Sequence, residues 1–236
     1  MIDVFSKIQE IDLSKCTRSL LDQLNFSFII RNKEGRLIYC NQATAELYGV
    51  KSPSCAMGKL DNEIKSKLFD DVEVVDGFSK QYKKTWETET SYSTLELHPT
   101  AVDYPYIFHK IPFFNNNKEC VGMFGYDKKL NVYSINDFIK RNLPGSLLLT
   151  KPDDYFTERQ CEIFFYRLQG LKAKEVAKRL HLAANTFNNY MQTLYDKVGA
   201  NNLDEFIEFC EKRNYHRYLP KRFLTSEAIT FDSSII

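Results

Sequence analysis

No run of 18 apolar residues occurs in this chain, so no membrane-spanning helix is expected. Net charge is nearly absent: 32 Lys+Arg against 31 Asp+Glu leave +1, which says nothing about partners. The six cysteines (Cys16, Cys40, Cys55, Cys120, Cys161, Cys210) contain no Cys-x-x-Cys pair and no regular spacing. Neither a disulfide framework nor a metal site is read from them; reduced thiols in a cytoplasmic protein are the expectation. An exposed redox-sensing cysteine is the lesser alternative, since free cysteine is usually a small core residue. The first 15 residues, MIDVFSKIQEIDLSK, lack an apolar core, so no export signal is expected. No phosphate loop, paired carboxylates or Ser/His/Asp arrangement stands out, so neither an enzyme nor a cofactor is expected. Internal repeats and low-complexity tracts are lacking too.

What is present suffices for two small domains: 236 residues, 43% hydrophobic and 14% aromatic. The charge is unevenly placed. Between Lys151 and Arg222 there are 13 Lys+Arg against 10 Asp+Glu, so the small positive excess lies in the C-terminal half, as a phosphate-binding module needs.

Residues 156–200 carry the clearest pattern. Thr157 and Gln160 have capping-box spacing, and Ile163, Phe164, Arg167 and Leu168 follow at helical intervals before Gly170. A second helix over about Ala173–His181 places Val176, Ala177 and Leu180 on one face. A third, Ala184–Val198, turns Phe187, Leu194 and Val198 inward and ends at Gly199. A fourth, about Leu203–Arg213, starts from Asn202 and carries Phe206, Ile207, Phe209 and Cys210. Two helices joined by a few residues suit a helix-turn-helix; spacing alone fits a plain helical bundle equally well.

The residues themselves favour the first. Thr157-Glu158-Arg159-Gln160-Cys161-Glu162, Gly170, Lys174-Glu175-Val176-Ala177, Thr186-Phe187-Asn188-Asn189-Tyr190 and Leu194-Tyr195-Asp196-Lys197-Val198-Gly199-Ala200 resemble the LuxR-type helix-turn-helix without a gap. Tyr190 replaces that family's usual His, Phe187 its Val, and Ala183 the Ser that commonly caps the third helix. The resemblance implies base reading by Asn188, Asn189 and Gln192, and phosphate contacts by Thr186, Lys174 and Lys197. It also implies double-stranded DNA and a second copy of the chain as partners, with RNA polymerase a further partner of an activator. The presumed reading helix has no Lys or Arg before Lys197, so its specificity is expected to rest on amides.

The N-terminal half reads as a helix (about 13–24), two strands about the turn Asn32-Lys33-Glu34-Gly35, a helix capped by Asn41, and a turn-rich segment. A helix over about Asp70–Trp86, interrupted by Gly77, and three strands (Ser91–Leu97, Tyr106–Phe114, Glu119–Lys128) follow. That order, with Lys33-Glu34-Gly35-Arg36, Asn41-x-Ala43, Gly49 and Gly58-Lys59-Leu60-Asp61, resembles a PAS domain over residues 13–130. The fold class expected is thus α+β: a five-stranded antiparallel sheet with helices, then a four-helix LuxR-type domain. Trp86, Tyr92, Phe108 and Phe113 are the candidate lining of a ligand pocket, although aromatics on strands also simply fill cores. No His lies in Asp70–Trp86, which argues against haem, and no Asn-Cys-Arg-Phe box marks a flavin.

Residues 131–155 are expected to be a linker, with a short helix over Asn131–Leu143 and an apolar clump, Leu147-Leu148-Leu149, docking on a domain or a partner. Residues 156–222 form the DNA-binding domain. Tyr215–Arg222, basic and aromatic, is read as a solvated segment, with phosphate contact or packing as alternatives. Residues 223–236 are read as a flexible tail. The reading is a homodimeric DNA-binding regulator, most simply an activator. Its layout is similar to the activators of plasmid conjugative-transfer genes. The alternatives are a small-molecule-gated regulator and a protein-interaction adaptor that binds no DNA; the single tryptophan argues against an autoinducer receptor domain.

Overall fold

The computed structural model describes residues 13–132, 145–224 and 229–231, which fall into two compact units. The N-terminal unit begins with α1 (Lys15–Asp22), followed by β1 (Phe28–Asn32) and β2 (Leu37–Cys40). Gly35, at φ +81°, closes the turn between them, and its N–H donates to Asn32 O at 2.9 Å. Asn41 caps α2 (Gln42–Leu47) by accepting from Thr44 N, and its amide donates to Phe26 O at 2.9 Å. Three short 3-10 turns occupy the polar segment up to Phe69. Asp71 then caps α3 (Val72–Thr88), which runs unbroken through Gly77 because its apolar face supplies tertiary packing that outweighs one glycine.

Next come β3 (Tyr92–Glu96), β4 (Tyr106–Phe114) and β5 (Cys120–Lys129). All pairs in the sheet are antiparallel, in the order β2-β1-β5-β4-β3. A sixth strand, β8 (Ile229–Phe231), adds to β3 with Thr94 opposite Thr230. Those three residues therefore depart from the expected flexible tail; residues 225–228 and 232–236 lie outside the described residues. An added strand satisfies backbone groups on the edge of β3 that composition does not reveal.

The sheet has two apolar faces. Along β4, Tyr106, Phe108, Lys110 and Pro112 are buried, while Ile107, His109, Ile111 and Phe113 are half-buried. The period of two sends the first set towards α3, whose Phe78, Tyr82 and Thr85 are buried. The other face holds Ile30, Tyr39 and Val121, with Leu21, Phe113 and Phe124 against them. There α1 is held by the Tyr39 hydroxyl, which donates to Asp22 at 2.6 Å.

In the second unit a two-stranded ribbon pairs β6 (Asn131–Val132) with β7 (Gly145–Ser146). The expected linker helix is replaced by a strand at residues 131–132; the rest of it lies outside the described residues. The leucine clump docks on its own unit: Leu148 N donates to Arg217 O at 2.9 Å, Leu219 N to Leu148 O at 2.9 Å, and Leu149 is buried. Four helices follow: α4 (Glu158–Leu168), α5 (Ala173–Arg179), α6 (Ala184–Val198) and α7 (Leu203–Lys212). The capping box at α4 forms as expected, with Gln160 N on Thr157 Oγ1 at 3.2 Å and Thr157 N on Gln160 Oε1 at 3.0 Å.

An aromatic core joins the helices. Phe156 lies 5.0 Å from Phe164 and 5.0 Å from Tyr215 between ring centroids, and Phe164 lies 5.4 Å from Phe206. Phe206 and Cys210 are buried inside this bundle. The expectation of a solvated segment at Tyr215–Arg222 is overturned. Tyr215 and Tyr218 are buried, their hydroxyls donating to Asp153 Oδ1 at 2.5 Å and to the Glu158 carboxylate at 2.7 Å. Each ring removes apolar area from water while its hydroxyl keeps a charged acceptor, so burial costs no hydrogen bond.

Candidate nucleic-acid interface and enclosed pocket

The rotation of α6 about its own axis is set by Phe187, Met191 and Leu194, all buried at spacings of four and three. That anchoring sends Asn188, Asn189 and Gln192 outward, together with Thr186 and a 45% exposed Tyr190. Asn188, Asn189 and Gln192 thus share an exposed surface, as the sequence led us to expect. Their engagements differ. Gln192 Nε2 donates to Asp196 Oδ1 at 2.9 Å, which draws its amide towards the helix, whereas no side-chain contact holds Asn188 or Asn189 among the hydrogen bonds described. Ala183, at the N-cap, makes no side-chain cap. The turn before it bends through His181 at φ +55°, with Leu182 N donating to Ala177 O at 2.9 Å.

Lys174 is exposed on α5, the helix packed against α6, and Lys172 and Lys178 are exposed beside it. These two cations were missed by motif reasoning; marking every polar position outside the Val176-Ala177-Leu180 stripe would have found them. Lys197 is placed differently from Lys174. Its ammonium donates to Tyr155 O at 2.7 Å and Gln160 Oε1 at 3.3 Å, and lies 5.1 Å from the Tyr155 ring centroid. Tyr155 returns a hydrogen bond to Lys197 O at 2.8 Å. Lys197 therefore staples the end of α6 to the start of α4, and its charge is already engaged.

The four candidate pocket residues do not converge. Phe108 lines a small aromatic pocket with Tyr48, Phe69, Phe78, Tyr82 and Tyr106. Phe113 sits on the opposite face of the sheet, five residues along β4 and so of opposite parity. Tyr92 is buried beside α3, its hydroxyl donating to Gln81 O. Trp86 lines a separate outer cleft. The aromatic pocket has a volume of about 10 Å³, room for about one water. A larger occupant needs side chains to move.

Charged groups are buried near this pocket, and sequence reading foresaw neither of their pairings. Lys110 and Glu96 are both essentially inaccessible to solvent, 3.6 Å apart. The Lys110 ammonium donates to Thr94 Oγ1 at 2.5 Å and lies 4.8 Å from the Phe108 ring centroid. Burial pushes Lys110 down to about 8, with Glu96 opposing. Burial would raise Glu96, but bonds from His98 and Thr94 and the Lys110 charge hold it below its ordinary value. A second buried pair joins Arg31 to Asp61, with the guanidinium 4.7 Å from the Tyr82 ring centroid. Parity along β4 would have revealed Lys110, since it shares the face of Phe108. Asp61 belongs to the quoted Gly58-Lys59-Leu60-Asp61 motif, but nothing local names its partner, 30 residues away.

Residues 154–210 match the family described as bacterial regulatory proteins, luxR family, and residues 21–126 match the PAS fold. No curated protein matches the chain. Among solved structures, the chain is similar to VqmA of Vibrio cholera in a ligand–DNA complex, at 23% identity and a TM-score of 0.65. That likeness covers 94% of this chain and 98% of the other. It is also similar to a phage VqmA in a complex with DPO, at 21% identity and a TM-score of 0.54, covering 92% and 97%.

Proposed function

We propose that this chain, in which a PAS fold precedes a luxR-family helix-turn-helix, is a sequence-specific DNA-binding transcription regulator that acts as a homodimer. The observation that carries the reading is the amide row of α6. Asn188 and Asn189 are exposed and uncommitted to side-chain partners, on a helix whose opposite face is locked into an apolar core. An amide side chain can bond both N6 and N7 of adenine in the major groove, so the half-site is A-containing. Thr186 and the α5 lysines, Lys174 foremost, hold phosphates and set register without reading sequence. Two copies place two reading helices one turn of DNA apart. The regulator is a cytoplasmic protein and no enzyme, and activation through RNA polymerase is its simplest mode. No helix among the described residues is long and apolar enough to cross a membrane.

Chromatin enrichment with sequencing of the bound DNA supplies the operator. On that site, Asn188→Ala and Asn189→Ala each weaken binding by about 1–3 kcal/mol, while binding to random DNA is unchanged. Equal loss on random DNA would refute base reading. Lys174→Ala lowers the slope of affinity against salt by about one.

A small-molecule-gated mode is favoured by one observation, the aromatic pocket with a buried lysine at Phe108. The similar solved structures include a VqmA–ligand–DNA complex and a phage VqmA–DPO complex. The ligand would be a small molecule with one acceptor for Lys110. Native mass spectrometry of the purified chain, and operator binding with and without DPO, test this mode. A bare polypeptide mass with no response to DPO or to a cell extract sinks it.

A further inference from the structure

Asn188, Asn189 and Gln192 define a direction as well as a set. Each residue turns an α-helix by about 100° and raises it by about 1.5 Å. Measured around α6 from Phe187, the buried Met191 and Leu194 lie within about 40° of it, which fixes the direction of the core. On the same scale Asn188, Gln192 and Asn189 lie at about 100°, 140° and 200°, an exposed arc on the side away from that core.

Asn185 lies inside this arc, at about 160°. It is the second residue of α6, exposed, and held by no side-chain partner among the hydrogen bonds described. A docking that points the middle of the arc at base edges points Asn185 there too, one turn nearer the start of the helix. Thr186 and Tyr190 are exposed as well, but they lie outside the arc, at about 260° and 300°.

The two ends of this ridge differ in charge. Asn185, Asn189 and Gln192 follow one another at intervals of four and three, and the next place on the ridge, four residues on, is Asp196. Asp196 is exposed and accepts from Gln192 Nε2 at 2.9 Å. Phosphates repel its carboxylate, whereas the first turn of α6 carries no acid. The amide end is therefore the end that enters the groove, and the first residues of a reading helix are those that meet bases.

We propose that Asn185 determines specificity at a base pair of its own, an adenine whose N6 and N7 it bonds in the major groove. This rests on the DNA-binding reading above. Four residues of helix separate Asn185 from Asn189 by about 6 Å along the axis. Stacked base pairs are about 3.4 Å apart, so the pair met by Asn185 lies one or two steps from the pair met by Asn189. Each half-site then holds two adenine-containing pairs read by amides of the same ridge.

The test uses the full chain and a library of DNA duplexes with a randomised centre, so it needs no known operator. The wild type, Asn185→Ala and Asn189→Ala each select their sites. Asn185→Ala is expected to lose the adenine preference at one position of each half-site, and Asn189→Ala at another, one or two steps away. On the wild-type site Asn185→Ala weakens binding by about fivefold or more. On a duplex lacking the site it changes binding by less than about twofold and leaves the salt slope as it was. Thermal unfolding stays that of the wild type, because the side chain is exposed and alanine suits a helix. Unchanged base preferences in Asn185→Ala overturn the inference. Equal loss on both duplexes, the mark of a phosphate contact, overturns it too, as does relaxation of the same pair that Asn189→Ala relaxes. The two ideas fail distinguishably. If the wild type enriches no site, the DNA-binding reading falls and takes this inference with it. If Asn189→Ala relaxes a base pair and Asn185→Ala relaxes none, only this inference falls.

Discussion

Between Ser27 and Asp127 the interior encloses two ion pairs, Arg31–Asp61 and Lys110–Glu96, whereas the core beneath α6 encloses none among the described residues. Every buried polar or charged residue described lies in the N-terminal unit. The helical unit buries aliphatic and aromatic groups and cysteines, and sends its two deepest tyrosine hydroxyls to acids at its edge. The difference teaches what each unit can respond to. An apolar core holds the exposed face of α6 still and carries no buried charge for a proton to exchange. A core with charges in low dielectric is held by directional contacts that a ligand or a proton can exchange.

The largest way to break this contrast is to orphan a buried charge. Asp61→Ala leaves Arg31 unpaired and costs about 3–5 kcal/mol in urea unfolding. The double variant Arg31→Met with Asp61→Leu recovers most of that loss, because replacing both partners removes the desolvation penalty too. If the double variant is as unstable as the single one, shape rather than charge holds that site. In the helical unit, Phe156→Ala costs about 3–5 kcal/mol through its cavity alone, and no charge substitution there has an equal effect.

Next in size is a pH effect confined to the N-terminal unit. Lys110 titrates at about 8 in the fold against 10.5 when unfolded. Between those values the unfolded chain binds more protons, so stability from this group rises with pH through the window and is lowest below pH 8. The swing is on the order of 3 kcal/mol. Unfolding free energies of the wild type and Lys110→Met should diverge in favour of the wild type by up to that amount between pH 8 and 10.5. Parallel pH profiles would show that Lys110 is not desolvated. The smallest effect sharpens the other side. Ala183→Ser supplies the missing cap of α6 and should add about 1 kcal/mol, with slower amide exchange over residues 184–190. Full protection there in the unaltered free chain would show that Phe187 packing alone orders the start of the helix.

Much of the helical unit was legible because its determinants are local. The Thr157 and Gln160 box, the stripe of Phe187 and Leu194, the stop at Gly199 and the Asn202 cap are each set within a turn or two of chain. The exposed face of α6 follows from the same period, and the Asn188, Asn189 and Gln192 that the family resemblance names all lie on it. The turn at Gly35 and the strands of the N-terminal unit were legible for the same reason, through short-range turn chemistry and alternation.

What is invisible locally was decided by the tertiary structure. Lys197 reads as one more exposed cation until Tyr155, 42 residues earlier, receives its ammonium. Phe113 and Phe108 read alike until the sheet gives them opposite faces with different neighbours. Tyr215 and Tyr218 read as a solvated segment until Asp153 and Glu158 arrive as acceptors. Residues 229–231 read as tail until β3 presents a free edge. In each case a polar or aromatic group is placed by a partner distant in sequence, and its burial becomes favourable only once that partner satisfies its hydrogen bonds. The sequence alone therefore determined α1–α7 and β1–β5 and their order, and which residues of α6 face away from its core. Tertiary pairing alone decided which charges lie inside, which face of the sheet each aromatic of β4 joins, and that Lys197 is engaged while Lys174 stays exposed.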